Sequence, residues 1–190
     1  MFLVVPSFYL GSHLTRNRDL IELPKGDTFF LNHYSNIANP VTLDNDSYIG
    51  ARFNPEDFGL YDDFVLYLIE SMWGSATYEI TLYVCRDDNG QPDLSNPVFA
   101  DTYRPDVYPE TDYHNINDIS FGYENILWIV YYCDMNDAFP MVDDDGNSGF
   151  SWQDNGTPDN DWVIGIWIEE YEPSRILSTK SLGIIKASFR

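Results

Sequence analysis

Short runs in which apolar and polar residues alternate recur along the chain, and turn-forming residues separate them. In the clearest run, Thr77–Cys85, one face of a strand would carry four bulky side chains, those of Tyr78, Ile80, Leu82 and Val84. The residues between them would point to the opposite face, because successive side chains of a β-strand alternate. A period of two over this length predicts a half-buried β-strand.

Similar runs along the chain predict an all-β protein. Asp63–Ser71 is nearly all apolar and also fits a short helix, but its bulky residues favour a strand. Asn125–Cys133 is expected at the centre of a sheet, buried on both faces. About ten short strands without a long helix predict an antiparallel β-sandwich or jelly roll, with extra strands at both termini. The predicted strands are Phe2–Leu10, Asp19–Pro24, Thr28–Tyr34, Ser47–Phe53, Asp63–Ser71, Thr77–Cys85, Asn96–Tyr103, Asn117–Phe121, Asn125–Cys133, Asp161–Tyr171 and Ser181–Phe189.

Length and composition support this interpretation. The chain has 190 residues, enough for a single domain with a substantial core. Aromatic residues make up 16% of it, and Asp outnumbers Glu by 22 to 9. Aromatic side chains suit strands, whereas Asp is common in turns and unfavourable inside helices.

Charge divides the domain into three parts. The acidic body, residues 26–171, is almost without basic residues: residues 26–174 hold 29 acidic residues and only Arg52, Arg86 and Arg104. The N-terminal strand segment, residues 1–25, has a net charge of +1. The C-terminal strand arm, residues 172–190, is basic, since its last 16 residues have a net charge of +4. This split is either accidental or a sign that a terminal segment docks on an acidic body, its own or a neighbour's.

The same charge restricts the partners. An overall formal charge of −21 repels nucleic acid and anionic membranes, so neither is an expected partner. The sequence contains no run of 18 apolar residues, so no membrane-spanning helix is expected. Cys85 and Cys133 each end a predicted strand, and the sequence leaves open whether they form a disulfide.

The stretch Met141–Trp162 concentrates six aspartates and three glycines without any Lys or Arg. Asp143, Asp145 and Asn147 have the i, i+2, i+4 spacing of many calcium loops, although the EF-hand pattern fails. A second set of carboxylates follows: Asp154, Asp159 and Asp161. The stretch is therefore a candidate Ca²⁺ site, and the alternative is a well-solvated acidic loop.

Two tryptophans of this stretch, Trp152 and Trp162, would form a sugar-stacking platform if they were exposed. The apolar residues that follow Trp162 favour packing in the core instead. The three histidines are scattered, and no pattern of a catalytic triad, a zinc site or a phosphate loop is present. These observations favour a non-enzymatic protein.

The order of segments from Ser47 to Glu169 resembles the accessory β-sandwich domains of secreted and cell-surface bacterial proteins. The resemblance rests on "SYIGARFNPEDF", "TYEITLYVCRDDNGQP", "NILWIVYYC", the Asp/Gly/Ser-rich segment and "DWVIGIWIEE". It covers about two thirds of the chain with strand patterns and turn residues. It implies a non-catalytic β-sandwich in an extracellular or cell-surface location.

The two terminal segments are apolar and strand-prone. They are expected either to form edge strands of their own sheet or to complete the sheet of another copy by main-chain pairing. In the second case a contact that does not close into a ring produces a filament. The candidate assembly residues are Phe2, Leu3, Val4 and Val5, and Ile184, Ile185, Lys186 and Phe189.

The sequence thus favours a self-assembling structural or adhesive protein, with Ca²⁺ in its acidic loops. One alternative is a carbohydrate-binding module that uses Trp152 and Trp162. Another is an acidic mimic of nucleic acid, although its carboxylates cluster in turns rather than along one surface.

Overall fold

The alternating segments form strands of two stacked sheets. The computed structural model describes residues 27–171, except 45, 77–78, 106–110 and 135–137. These residues contain one short 3-10 helix, Pro55–Phe58, and twelve strands. The strands are β1 (Thr28–Asn32), β2 (Ile37–Pro40), β3 (Ser47–Phe53), β4 (Phe64–Ala76), β5 (Ile80–Asp88), β6 (Gln91–Pro92), β7 (Phe99–Tyr103), β8 (Thr111–Phe121), β9 (Leu127–Cys133), β10 (Ala138–Asp143), β11 (Ser151–Gln153) and β12 (Ile164–Glu170).

Each sheet has six antiparallel strands. The first has the order β1-β12-β4-β10-β2, with β8 also paired to β4, and the second has the order β11-β3-β9-β5-β6, with β7 also paired to β5. The eight main strands therefore run β1-β12-β4-β8 and β3-β9-β5-β7. This is the strand order of an eight-stranded jelly roll, so the predicted fold class is confirmed.

The core lies between the sheets and follows the predicted alternation. In β5, Ile80, Leu82 and Val84 are at most 2% exposed, whereas Thr81 and Tyr83 are half-buried. Strand β9 lies between β3 and β5 and is buried on both faces, as predicted. Asp63–Ser71 is a strand rather than a helix, and β4 continues to Ala76.

Four short strands, and the first part of β8, were not predicted. Strands β2, β6, β10 and β11 have two to six residues each, too few to show a clear period. Strand β8 begins at Thr111, before the predicted Asn117. The segments Phe2–Leu10, Asp19–Pro24 and Ser181–Phe189 lie outside the described residues.

The two cysteines lie on opposite faces of the second sheet. Cys133 belongs to the core between the sheets, and Cys85 packs with Trp128 and Val130 on the outer face. Both are free thiols. The sheet itself separates them, so the intramolecular disulfide that the sequence left open does not form.

The described chain begins and ends side by side. Thr28 in β1 is paired with Glu169 in β12, and the backbone N–H of Glu170 donates to the carbonyl of Asp27 at 3.3 Å. The N–H of Tyr171 donates to the carbonyl of Asp63, beside the start of β4, at 2.7 Å. Residues 1–26 and 172–190 therefore join the sandwich at one corner. Within the described part of the chain, no helix is long and apolar enough to cross a membrane.

Candidate functional site

The acidic stretch is organised around the buried carboxylate of Asp161. Its side chain is 2% exposed. Its two oxygens accept hydrogen bonds from the backbone N–H and the hydroxyl of Ser148, each at 3.0 Å. Its carbonyl accepts from the N–H of Asp143 at 3.0 Å. Asp161 therefore fixes the loop between β10 and β11 to the end of β10.

Asp143 and Asp145 both reach the connection between β1 and β2. Asp143 is 2% exposed, and its Oδ2 accepts from the backbone N–H of Ser35 at 3.2 Å. The Oδ1 of Asp143 is buried and has no hydrogen-bond partner among the described residues. The exposed Asp145 accepts from the hydroxyl of Ser35 and, at 3.2 Å, from the amide of Asn36.

The other three predicted ligands have different surroundings. The amide group of Asn147 donates to the carbonyl of Pro158 and accepts from the N–H of Gly149 at 2.6 Å. Asp154 and Asp159 are exposed. Asp154 is anchored through its backbone N–H, which donates to the carbonyl of Tyr48 at 3.2 Å.

The structure does not gather the six predicted ligands at one point. Across the described ranges, no group of three or more His, Cys, Asp or Glu side chains is arranged to hold a metal ion. The carboxylates of Asp143 and Asp161 instead hold the loop through Ser35 and Ser148. A Ca²⁺ site in this stretch stays a prediction.

Trp152 and Trp162 do not form a shared surface. Trp162 is 3% exposed, and its Nε1 donates to the carbonyl of Trp152 at 3.0 Å. Its backbone lies in a bridge to Val142, which draws the side chain into the core. Trp152 is half-buried and lies on the outer face of the second sheet.

Three tyrosines that the sequence analysis did not single out join Trp152 on that face. Strand register places Trp152, Gly50, Val130 and Tyr83 in one row across four strands. Tyr48 and Tyr132 are directly paired in the next row, with ring centroids 4.7 Å apart. We call this set, Tyr48, Tyr83, Tyr132 and Trp152, the aromatic platform.

Gly50 lies beneath the platform, where the strands approach too closely for a side chain. A Cβ at Gly50 would lie 2.7 Å from the carbonyl oxygen of Ile129. Val130 beside it is fully buried, and Tyr48, Tyr83 and Trp152 pack against the cluster to which Val130 belongs. The platform is thus a layer of half-buried rings over a closely packed sheet.

Several carboxylates lie beside the platform. The hydroxyl of Tyr132 donates to Asp46 at 2.8 Å, and this bond is the largest of several effects that raise the pKa of Tyr132 to about 12. Burial raises the pKa of Tyr48, and the neighbouring Tyr83, Asp154 and Asp46 raise it further. On the same outer face, the indole Nε1 of Trp128 donates to Asp87 at 2.8 Å.

The first sheet carries a buried carboxylate on its own outer face. Glu70 is 7% exposed and accepts hydrogen bonds from the hydroxyl of Tyr34 and, at 3.3 Å, from Nε1 of Trp167. Burial raises the pKa of Glu70, and these donors oppose the shift. Phe30 lies against Trp167 with ring centroids 4.8 Å apart.

Two histidines join the sheets. Nε2 of His33 lies 2.7 Å from the carbonyl of Arg52, and its ring stacks on Phe150 at 4.1 Å. Nε2 of His114 in β8 lies 3.2 Å from a carboxylate oxygen of Asp101 in β7. Burial lowers the pKa of both histidines.

The candidate assembly residues, Phe2, Leu3, Val4, Val5, Ile184, Ile185, Lys186 and Phe189, lie outside the described residues. What the structure gives is the corner at which both terminal segments join the sandwich.

Comparison with known proteins yields a distant similarity. No protein-family model and no curated protein matches the chain. Among solved structures, the coat protein of Tobacco streak virus is similar over 80% of this chain and 92% of its own, with 11% sequence identity and a TM-score of 0.34. A similarity at this level carries no functional argument, and the fold assignment above rests on the strand order.

Proposed function

We propose that this protein is a non-enzymatic, extracellular structural protein that self-assembles through its terminal segments. The observation that carries the proposal is the corner formed by Asp27 and Glu170, whose backbones are hydrogen-bonded. Both terminal segments join the sandwich there, which supports a contact in which both reach the same neighbouring copy.

Charge favours contact between unlike parts of two copies. Residues 27–171 contain 28 acidic and three basic residues, whereas residues 172–190 contain four basic residues and one acidic residue. Two acidic bodies repel each other, and a basic arm between them reduces that repulsion. The expected contact is therefore heterologous, from the arm of one copy to the body of the next, and it propagates.

The apolar residues of the arm supply the second half of the contact. "SLGIIKASF" has the composition of a strand, and main-chain pairing with a sheet edge gives affinity without a deep pocket. The hydrogen bonds of Tyr132 with Asp46 and of Tyr34 with Glu70 join separate segments of the sheets, which supports a structural role for both places.

Calcium is the cofactor we propose for the acidic stretch. The buried Oδ1 of Asp143 lies in a segment rich in oxygen ligands, which Ca²⁺ prefers. Bound Ca²⁺ would raise the stability of the body and lower its self-repulsion. The test is the thermal midpoint of the full chain in Ca²⁺ and after EDTA, with Mg²⁺ as control. A rise in Ca²⁺ that Asp143→Asn abolishes supports the site, and equal midpoints in Ca²⁺ and EDTA contradict it.

Assembly itself is tested on the full chain by sedimentation and negative-stain electron microscopy at several protein concentrations. Wild type is expected to form filaments or arrays. Ile184→Pro, which removes a main-chain donor and restricts the backbone, is expected to abolish them. Ile184→Val is the matched control and should assemble like wild type, because it keeps a β-branched apolar side chain.

A wild-type chain that remains monomeric at high concentration, with and without Ca²⁺, contradicts the proposal. Assembly that Ile184→Pro leaves unchanged contradicts the role of the C-terminal arm.

A further inference from the structure

The aromatic platform and the terminal corner lie at opposite ends of the sandwich. Strand β3 begins at Ser47, next to Tyr48, and ends at Phe53. The chain then passes through the 3-10 helix to Phe64, where β4 begins beside Glu170. Trp152 of the platform accepts a hydrogen bond from Trp162, just before β12 begins, whereas the terminal segments leave beside Glu170, where β12 ends.

The platform has the chemistry of a site for basic side chains. Aromatic faces attract ammonium and guanidinium groups, and adjacent carboxylates add a direct charge interaction. Tyr48 and Tyr132 supply paired rings, and Asp46 accepts a hydrogen bond from Tyr132. Asp154 is held beside Tyr48 because its backbone N–H donates to the carbonyl of Tyr48 at 3.2 Å. An anionic ligand is disfavoured at this place by the same groups.

The C-terminal arm fits this chemistry. It carries Arg175, Lys180, Lys186 and Arg190 among apolar residues, whereas residues 1–26 have a net charge of only +1. Residues 172–190, if extended, reach about 60 Å, since an extended residue spans about 3.3 Å. That is enough to cross the space between two copies and lie on the second sheet of the next copy.

We propose that the C-terminal arm, residues 172–190, of one copy docks on the aromatic platform of the next copy, with its basic side chains against the rings and beside Asp46 and Asp154. This inference rests on the proposed self-assembly and names the surface that receives the basic side chains of the arm, while the main chain of the arm pairs with β11, the edge strand that carries Trp152. Because the arm leaves one end of the sandwich and the platform lies towards the other, the contact is head to tail. A head-to-tail contact that does not close produces a filament.

The sharpest test exchanges charges across the proposed contact in the full chain. Asp154→Lys on the platform and Lys186→Glu on the arm are each expected to raise the concentration for half-assembly by about tenfold. An equimolar mixture of the two variants is expected to assemble close to wild type, because each variant's arm then meets a platform of opposite charge. Lys186→Arg is the matched control and should assemble like wild type.

A second pair of variants tests the rings. Tyr132→Ala is expected to reduce assembly by a similar factor, whereas Tyr132→Phe keeps the ring and should assemble nearly as wild type. Near-ultraviolet circular dichroism of each variant checks that the sandwich is intact.

Three outcomes distinguish the alternatives. If wild type assembles and the Asp154 and Tyr132 variants assemble equally well, the arm docks elsewhere and this inference is wrong while the self-assembly proposal stands. If wild type does not assemble at all, the self-assembly proposal fails first. If Trp152→Ala abolishes binding on a glycan array without changing assembly, the platform is a sugar site instead, and the inference is overturned.

Discussion

Asp161 holds Ser148 through both of its carboxylate oxygens, one bonded to the backbone N–H and the other to the hydroxyl, each at 3.0 Å. The pair joins residues 13 positions apart and is shielded from water by the burial of Asp161. Removing the carboxylate would leave the N–H and the hydroxyl of Ser148 without their hydrogen-bond acceptor. We expect Asp161→Ala to lower the free energy of unfolding by about 1–3 kcal/mol.

The matched control for that substitution is Asp159→Ala, two residues earlier in the same stretch. Asp159 is exposed, so its removal should change the free energy of unfolding by less than about 0.5 kcal/mol. Urea denaturation of both variants provides the comparison. Equal effects would mean that Asp161 has no structural role beyond its charge.

The separation of Cys85 and Cys133 by a sheet gives a prediction for thiol chemistry. Both are buried, and burial raises the pKa of each thiol to about 12, so little reactive thiolate is present at neutral pH. In the folded protein, Ellman's reagent should detect neither thiol on a timescale of minutes. In guanidinium chloride it should detect both. A folded protein that loses both thiols to a disulfide under mild oxidation would contradict the structure.

The fold was predictable because its main strands carry a period of two or a continuous apolar run. The bounds of β3, Ser47–Phe53, agree with the prediction. Strand β11 has three residues, and β10 contains a proline at a register shift, so neither shows a period. Their positions depend on partners far along the chain, which the sequence alone does not reveal.

Glu70 offers a test on the outer face of the first sheet. Its folded pKa is raised by burial, so the folded state retains this proton to higher pH than the unfolded state. That contribution to stability is present below the unfolded pKa and is lost as pH rises through the folded pKa. Glu70→Gln removes the titration and keeps a hydrogen-bond acceptor for Tyr34. We expect the variant to gain stability relative to wild type between about pH 4 and pH 7, measured by urea denaturation. A difference in unfolding free energy between Glu70→Gln and wild type that does not change with pH would contradict the expectation.

The candidate site was less predictable than the fold, for a physical reason. Asp143, Asp145 and Asn147 have a ligand-like spacing, but the long-range partner of Asp143 is Ser35, 108 residues earlier. Tyr48, Tyr83 and Tyr132 could have been found as outward residues of alternating strands, since the alternation of Thr77–Cys85 already assigns Tyr83 to the outward face. The three tyrosines come together because β3, β9 and β5 are neighbouring strands. This neighbourhood is known only from the sheet topology.

The two buried histidines predict how stability responds to acid. Burial lowers the folded pKa of His33 and His114 below the ordinary value of 6.5, so the unfolded state binds protons more readily than the folded state as pH falls. Their contribution to stability is therefore present above about pH 6.5 and is lost as pH falls through the lowered values. Many carboxylates also titrate in acid, so the main comparison uses a variant that keeps all of them.

His114→Gln removes one of the two titrations and leaves the acidic residues unchanged. We expect a smaller loss of unfolding free energy between about pH 7 and pH 5 than in wild type, measured by urea denaturation at both values. Asp101→Asn is the opposing control. The carboxylate of Asp101 raises the pKa of His114 against the effect of burial, so its removal should make the acid-induced loss larger. If both variants change the acid-induced loss of unfolding free energy in the same direction, the contact between Asp101 and His114 does not control the titration of His114.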